Sequence, residues 1–244
     1  MSFKKEAEER IKALSNNEDL KSSALDFMKA SVGPKYSYNF LWLGRPIIQY
    51  PQDMIAMQEL IWEVKPDLII ETGIAHGGSL IFYASILELV AVCTGNEGKV
   101  LGIDIDIRPH NLKAIEDHPM YRRINMIQGS SIDPEIIAQV VEKAEGKKRV
   151  MVCLDSNHTH EHVLAELVAY APLTSVGSYC VVFDTLIEDM GEDAYPDRPW
   201  AKGDNPKTAV WEYLKTHSEF EIDKSIHQKL LITVAPDGYL KRVG

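Results

Sequence analysis

Successive apolar runs in this 244-residue chain end in a carboxylate or a small polar residue. Residues 68–70 run into Glu71, 100–103 into Asp104 with Asp106 close behind, and 124–127 into Gln128, Gly129 and Ser130. Residues 150–154 run into Asp155, and 177–183 into Asp184. In open α/β sheets ligands bind outside the carboxyl ends of the strands, so these polar ends are candidates for a single site. Asp155 and Asp184 end adjacent runs and offer two hard oxygen donors. Mg²⁺ takes one or two carboxylates and keeps positions for water and substrate oxygens, and such an ion lowers the pKa of a bound hydroxyl. Solvated loop acids are the plainer alternative. His158 lies three residues beyond Asp155, where an imidazole titrating near neutral pH suits a general base. His158 and His162 have the i,i+4 spacing of helical zinc ligands, but no third ligand is apparent, and His160 and His162 read as helix surface. His217, Glu219 and His227 supply the residue types of an iron-binding triad. They lie far from the strand ends and read as solvated surface.

The second feature is Glu71-Thr72-Gly73-Ile74-Ala75-His76-Gly77-Gly78-Ser79. An apolar strand, a glycine loop and a helix beginning near Leu80 form the βα turn of nucleotide-binding folds. There the backbone approaches the ligand closely and the helix N-terminus offers free N–H groups. Ala75 stands where a dinucleotide fingerprint needs its second glycine. Glu71 at the strand end suits a ligand carrying an ammonium and a sulfonium better than a pyrophosphate, which favours S-adenosylmethionine (SAM). The contacts would come from Glu71, Gly73, Ala75, Gly77 and Ser79. Asp104, ending the next strand, would accept from ribose hydroxyls with Asp106 as a lesser partner, and Ser130 would border the adenine. A glycine-rich turn without a ligand, and Ser130 as a helix cap, remain the alternatives.

These residues require particular elements around them. Strands over 68–71, 99–106, 124–130 with its exit loop, 150–155 and 177–184 alternate with helical segments, which predicts a mostly parallel sheet covered on both faces. Residues 2–30 carry apolar positions at helical spacing and predict one or two amphipathic helices ended by Gly33-Pro34. Residues 36–46 read as an aromatic-rich irregular segment. Asp53 is expected to cap a helix through Met54, Met57, Leu60, Ile61 and Val64. Residues 185–206, rich in Glu, Asp, Gly and Pro, read as a long functional loop. Strands are expected at 220–222 and 230–234, with a turn at Pro236-Asp237-Gly238. The net charge of −10 argues against wholesale nucleic-acid binding. The three cysteines sit apart in apolar runs and make neither a disulfide framework nor a zinc site. Neither a signal peptide nor a membrane span is legible, so a cytoplasmic location is expected.

Four ordered motifs carry a family resemblance. They are Ile70-Glu-Thr-Gly-Ile-Ala-His-Gly-Gly-Ser79, Gly102-Ile-Asp-Ile-Asp-Ile-Arg-Pro-His110, Leu154-Asp-Ser-Asn-His158 and Pro236-Asp-Gly-Tyr-Leu-Lys241. From about residue 38 onward the chain resembles the bacterial cephalosporin hydroxylase family, which includes rhamnosyl O-methyltransferases. The resemblance implies a Rossmann-like class I methyltransferase sandwich over 36–244 with an N-terminal helical extension over 1–35. It implies SAM at Glu71, Gly73, Ser79, Asp104 and Ser130, and Mg²⁺ at Asp155 and Asp184. The implied activity is SAM-dependent, Mg²⁺-assisted O-methylation of a sugar or secondary metabolite by a homo-oligomer, with the segment 197–206 as a lid over the acceptor. An iron- and 2-oxo-acid-dependent hydroxylase and a catalytically inactive SAM- or nucleotide-binding protein are the alternatives. One departure stands out: Phe183 precedes Asp184 where the cephamycin-pathway relative carries a second acid. Asn157, water or another residue is then left to complete the metal's shell.

Overall fold

The computed structural model describes residues 2–244. Two helices, α1 (Phe3–Ser15) and α2 (Glu18–Val32), lead into a short hairpin of β1 (Phe40–Trp42) and β2 (Arg45–Ile47). The aromatic segment expected to be irregular thus contains a 3₁₀ turn at Tyr36–Asn39 and this hairpin. Helix α3 (Pro51–Val64) precedes β3 (Leu68–Thr72) and α4 (Gly78–Thr94). The strands β4 (Lys99–Asp104), β5 (Ile124–Gln128), β6 (Val150–Leu154) and β7 (Tyr179–Val182) follow. Helices α5 (Pro109–Glu116), α6 (Pro134–Ala144) and α7 (His160–Tyr170) lie between them. The chain closes with α8 (Pro206–Tyr213), β8 (Phe220–Ile222), α9 (Lys224–Leu230) and β9 (Tyr239–Arg242).

The main sheet has the order β5-β4-β3-β6-β7-β9-β8. β5 to β7 are parallel, and β9 runs antiparallel to both β7 and β8. Alternation along β3 sends Ile69 to one face and Leu68 and Ile70 to the other, as the two-residue period of a strand requires. Two cores result. One lies under α3 and α4, the other under α6, α7 and α8. α4 is apolar nearly all round, with Leu80, Ile81, Phe82, Tyr83 and Ala84 all buried, and so packs as an interior helix. A third cluster unites Met28 of α2 with Tyr50, Leu186 and Met190, and Val32, Tyr36 and Tyr195 pack against it.

Two sequence expectations fail here for one reason. Asp53 does not cap α3, whose N-cap is Tyr50. It is fully buried and accepts hydrogen bonds from the hydroxyls of Thr233 and Tyr239 (2.9 Å for the latter) and from the Val234 N–H at 3.0 Å. Burial pushes its carboxyl up to about 6, against the pull of these donors. The run 230–234 is correspondingly no strand. Its Val234 N–H serves the Asp53 side chain and its Leu231 and Ile232 N–H groups bond the His227 and Leu230 carbonyls instead of a ladder, and Ile232 and Val234 enter the third cluster. The closing strand is β9, after the expected turn, where Gly238 N–H bonds the Ala235 carbonyl at 2.9 Å. Short apolar runs do not distinguish these outcomes by pattern alone. Among the described residues no helix is long and apolar enough to cross a membrane.

Candidate active site

Register places the polar strand ends at one level. Thr72 pairs with Ile103 and with Leu154, Leu154 with Val182, and Asp104 with Gln128. The residues that follow these positions therefore share one sheet edge, where a cleft of about 840 Å³ opens. Gly73, Ala75, Ser79, Asp155, His158 and Asp184 all line it.

The glycine loop is fixed by backbone contact. Gly73 has φ +91°, and a Cβ there would collide with the Asp155 carbonyl, so the position accepts glycine alone. At Gly78 a Cβ would collide with the backbone of Pro46 and Ile47. Asp104 holds the loop from the side. Its Oδ2 accepts from the Ile74 and Ala75 N–H groups at 2.7 and 3.1 Å, and its Oδ1 from Asp106 N–H at 2.9 Å. Arg45 donates to the His76 carbonyl and, at 3.1 Å, to Asn111 Oδ1. Asn111 in turn donates to the Ala75 carbonyl at 2.9 Å. Arg45 and Asn111 escaped the sequence reading, because nothing local ties them to a loop some thirty residues away.

Beneath the loop Glu71 is fully buried and accepts from Ser79 Oγ at 2.9 Å, while its Oε1 has no partner. Burial pushes its carboxyl up to about 8, partly opposed by the Ser79 hydrogen bond. A buried carboxylate with a spare oxygen beside a cleft favours a cationic ligand, because an ion or donor there repays its desolvation. Gly77, with φ +79°, starts α4 and packs on Ile115. Asp106 is exposed and lies 3.5 Å from Arg108. Ser130 is half-buried beyond β5, and its carbonyl accepts from the Asp133 N–H at 3.0 Å. The side chains of Asp106 and Ser130 lie outside the cleft lining, as do Gly77, Glu71 and Asp104.

On the far side of the cleft Asp155, His158 and Asp184 each offer a donor atom, all within 4.8 Å of one another. His158 Nε2 is 3.2 Å from Asp184 Oδ2, and Trp200 meets the imidazole edge-on at 4.7 Å between centroids. Burial, and then the charge of Asp184, push the Asp155 carboxyl well above the usual carboxylate range. Two carboxylates pressed together in this way are relieved by a divalent cation, and two oxygens with one imidazole nitrogen form a donor set such ions accept. Asp184 stands at φ +56°, two residues after the end of β7. Phe183 is 1% exposed within the core under α4. Position 183, where the resemblance implies a second acid, therefore faces the interior here, and His158 from the β6–α7 loop stands beside the two carboxylates.

The other histidines depart from their expected roles. His158 precedes α7, so the i,i+4 pair with His162 does not share a helix face. His160 and His162 are not solvated surface. His160 Nδ1 lies 2.8 Å from Thr208 Oγ1 and its N–H bonds Asp204 at 2.7 Å, which ties the end of the long loop to α7. His162 lies within 3.2 Å of the hydroxyls of both Ser131 and Ser156, beside buried Glu166. These contacts cross from one strand exit to the next and leave no periodic trace in the sequence. His217 stacks on Tyr213 at 3.7 Å, and His227 lies 3.9 Å from Asp237. Among the described residues they assemble no metal-binding group with Glu219.

Comparison with known proteins adds the family context. Residues 34–243 match the family model described as Rhamnosyl O-methyltransferase/CmcI. A rhamnosyl O-methyltransferase of Mycobacterium tuberculosis is 33% identical over 217 residues, spanning 85% of this chain and 82% of that protein. A structure of CmcI with Mg and SAM is similar with TM-score 0.57 at 20% identity, covering 85% of this chain and 78% of the other. A TDP-rhamnose 3'-O-methyltransferase of calicheamicin biosynthesis is similar with TM-score 0.55 at 15% identity, covering 100% of this chain and 96% of the other. At these identities the structural likeness establishes the fold, the class I methyltransferase sandwich.

Proposed function

The chain belongs to the Rhamnosyl O-methyltransferase/CmcI family and is a SAM-dependent O-methyltransferase, and we propose that its acceptor is a sugar hydroxyl held at the Asp155–His158–Asp184 end of the cleft. The observation that carries this reading is the convergence of that triad with the Gly73–Ser79 loop in one cleft. The relatives named for rhamnosyl substrates supply the acceptor class.

SAM, when bound, supplies an electrophilic methyl group on a sulfonium. In this reading its contacts are the cleft-lining Gly73, Ala75, Ser79 and Asp155, with Glu71, Gly77, Asp104, Asp106 and Ser130 bordering the site behind that lining. Glu71 and Asp155 face the ligand's positive charge, and the glycines bring the backbone close. Asp155 and Asp184 would hold Mg²⁺, which would supply a Lewis acid that lowers the pKa of a hydroxyl. With the ion held by the two carboxylates alone, His158 is left free to receive the acceptor proton, its Nε2 3.2 Å from Asp184 Oδ2. Trp200 against the imidazole edge keeps water from that side. The remaining task of the protein is alignment, since transfer of a methyl group in line depends chiefly on the placement of the two reactants. The same reading takes residues 1–35 as an extension on a catalytic domain of 36–244, working as a cytoplasmic homo-oligomer.

The test is calorimetric titration with SAM and S-adenosylhomocysteine, with and without Mg²⁺, followed by transfer of radiolabelled methyl to p-nitrophenyl α-L-rhamnoside. Binding and transfer are expected. Asp104→Ala is expected to weaken SAM at least 100-fold, because it frees the loop N–H groups as well as removing the ribose acceptor. Unchanged affinity removes Asp104 from the site.

A further inference from the structure

The amphipathic helices at the N-terminus need an occupation, and the structure gives α2 one within the subunit. Met28 is 1% exposed and packs with Tyr50, Leu186 and Met190. Ser31 Oγ lies 2.6 Å from Tyr50 Oη. Leu186 and Met190 belong to the turn that directly follows Asp184, so α2 is anchored to the segment that delivers this carboxylate. From that anchor the chain runs along the cleft, with Val32, Lys35, Ser37 and Tyr38 among its lining. The loop carrying Tyr195 and Trp200 lines the same cleft, and Tyr195 packs with Val32 and Tyr36 against the cluster that holds Met28.

We propose that the segment from the end of α2 to Tyr38 is the acceptor-side wall of the cleft and, with Tyr195 and Trp200, selects which sugar ring enters. This rests on the methyltransferase reading above. The SAM half is already enclosed by the glycine loop, α4 and β2, whereas the wall lies on the side of Asp184. It brings the Tyr38 ring to the cleft that Tyr195 and Trp200 also line, and the C–H faces of a sugar pack well on rings whose edges retain polar groups. The wall begins in residues that precede the family-matched region, which starts at 34. Acceptor choice in this chain therefore depends in part on sequence outside that region.

Two variants of the full chain test this. Ser37 makes no side-chain hydrogen bond among the described residues, so Ser37→Trp adds bulk to the wall without removing one. Tyr38 is 52% exposed, so Tyr38→Ala removes a ring without opening a core. Both are compared with wild type in S-adenosylhomocysteine titration and in methyl transfer to p-nitrophenyl α-L-rhamnoside. The expected result is S-adenosylhomocysteine affinity within twofold of wild type, with acceptor KM raised at least tenfold in Ser37→Trp and about threefold in Tyr38→Ala. Unchanged KM in both variants overturns the wall alone, as does an equal loss of S-adenosylhomocysteine affinity. A wild type that binds S-adenosylhomocysteine but methylates no rhamnoside overturns the sugar reading and this inference with it.

Discussion

The two sides of the cleft are built differently. The SAM side is backbone against backbone: Gly73 abuts the Asp155 carbonyl, Gly78 abuts Pro46 and Ile47, and Asp104 clamps two loop N–H groups. The acceptor side is side chain against side chain, with His158, Trp200, Tyr195 and Tyr38 drawn from segments far apart in sequence. The first arrangement tolerates almost no change, because a backbone contact has no rotamer with which to yield. The second can be remodelled one residue at a time. This division suits an enzyme class that keeps one methyl donor while its acceptors differ.

The largest expected effect strikes the rigid side. Gly73→Ala places a Cβ into the Asp155 carbonyl at a φ that L-residues rarely adopt. It should abolish SAM binding in calorimetry and lower the thermal midpoint by several degrees. Near-normal binding would show that the loop yields more than its contacts suggest. Next comes Asp184→Ala on the opposite side. This variant should lose at least 100-fold in kcat while keeping S-adenosylhomocysteine affinity within a few-fold, so that the two sides separate in one experiment. A parallel loss of both would erase the distinction.

The smallest effect concerns pH and sharpens the electrostatic side of the comparison. Burial disfavours the charge of Glu71 and pushes its carboxyl up to about 8 in the folded protein, against the ordinary 4.5. Between these values the unfolded chain has lost a proton that the folded protein retains, so stability falls as pH rises through that window. Glu71→Gln should make the slope of the thermal midpoint between pH 5 and 8 shallower. A cationic ligand prefers the ionised carboxyl, so wild-type SAM affinity should rise a few-fold toward pH 8, and the variant should lose this dependence. An unaltered slope in the variant would assign it to other buried acids such as Asp53 or Asp155.

Much of the fold was legible because it is written locally. Apolar runs of strand length alternating with helical segments, each ending in a polar residue, specify parallel strands whose carboxyl ends form one edge. The glycine loop was readable for the same reason, since its conformational demands fall on the residues themselves. Asp155 and Asp184 could be nominated as a pair and His158 as a base beside Asp155, but the meeting of all three within 4.8 Å depends on the packing of the β6 and β7 exit loops, which no local pattern states.

The misread positions are those whose partners are remote. Asp53 looked like a cap because a carboxylate near a helix start usually is one, yet Thr233, Val234 and Tyr239 claim it from some 180 residues away. That claim also removes 230–234 from the sheet. His160 and His162 looked solvated until α8 and the β5 exit loop closed over them. The sequence by itself determined the periodicities, the strand ends and the glycine loop, since these follow from near neighbours along the chain. Only the tertiary structure decided which polar groups satisfy one another and which aromatic rings wall the acceptor side, because burial obliges a polar group to find a partner without regard to its distance in sequence.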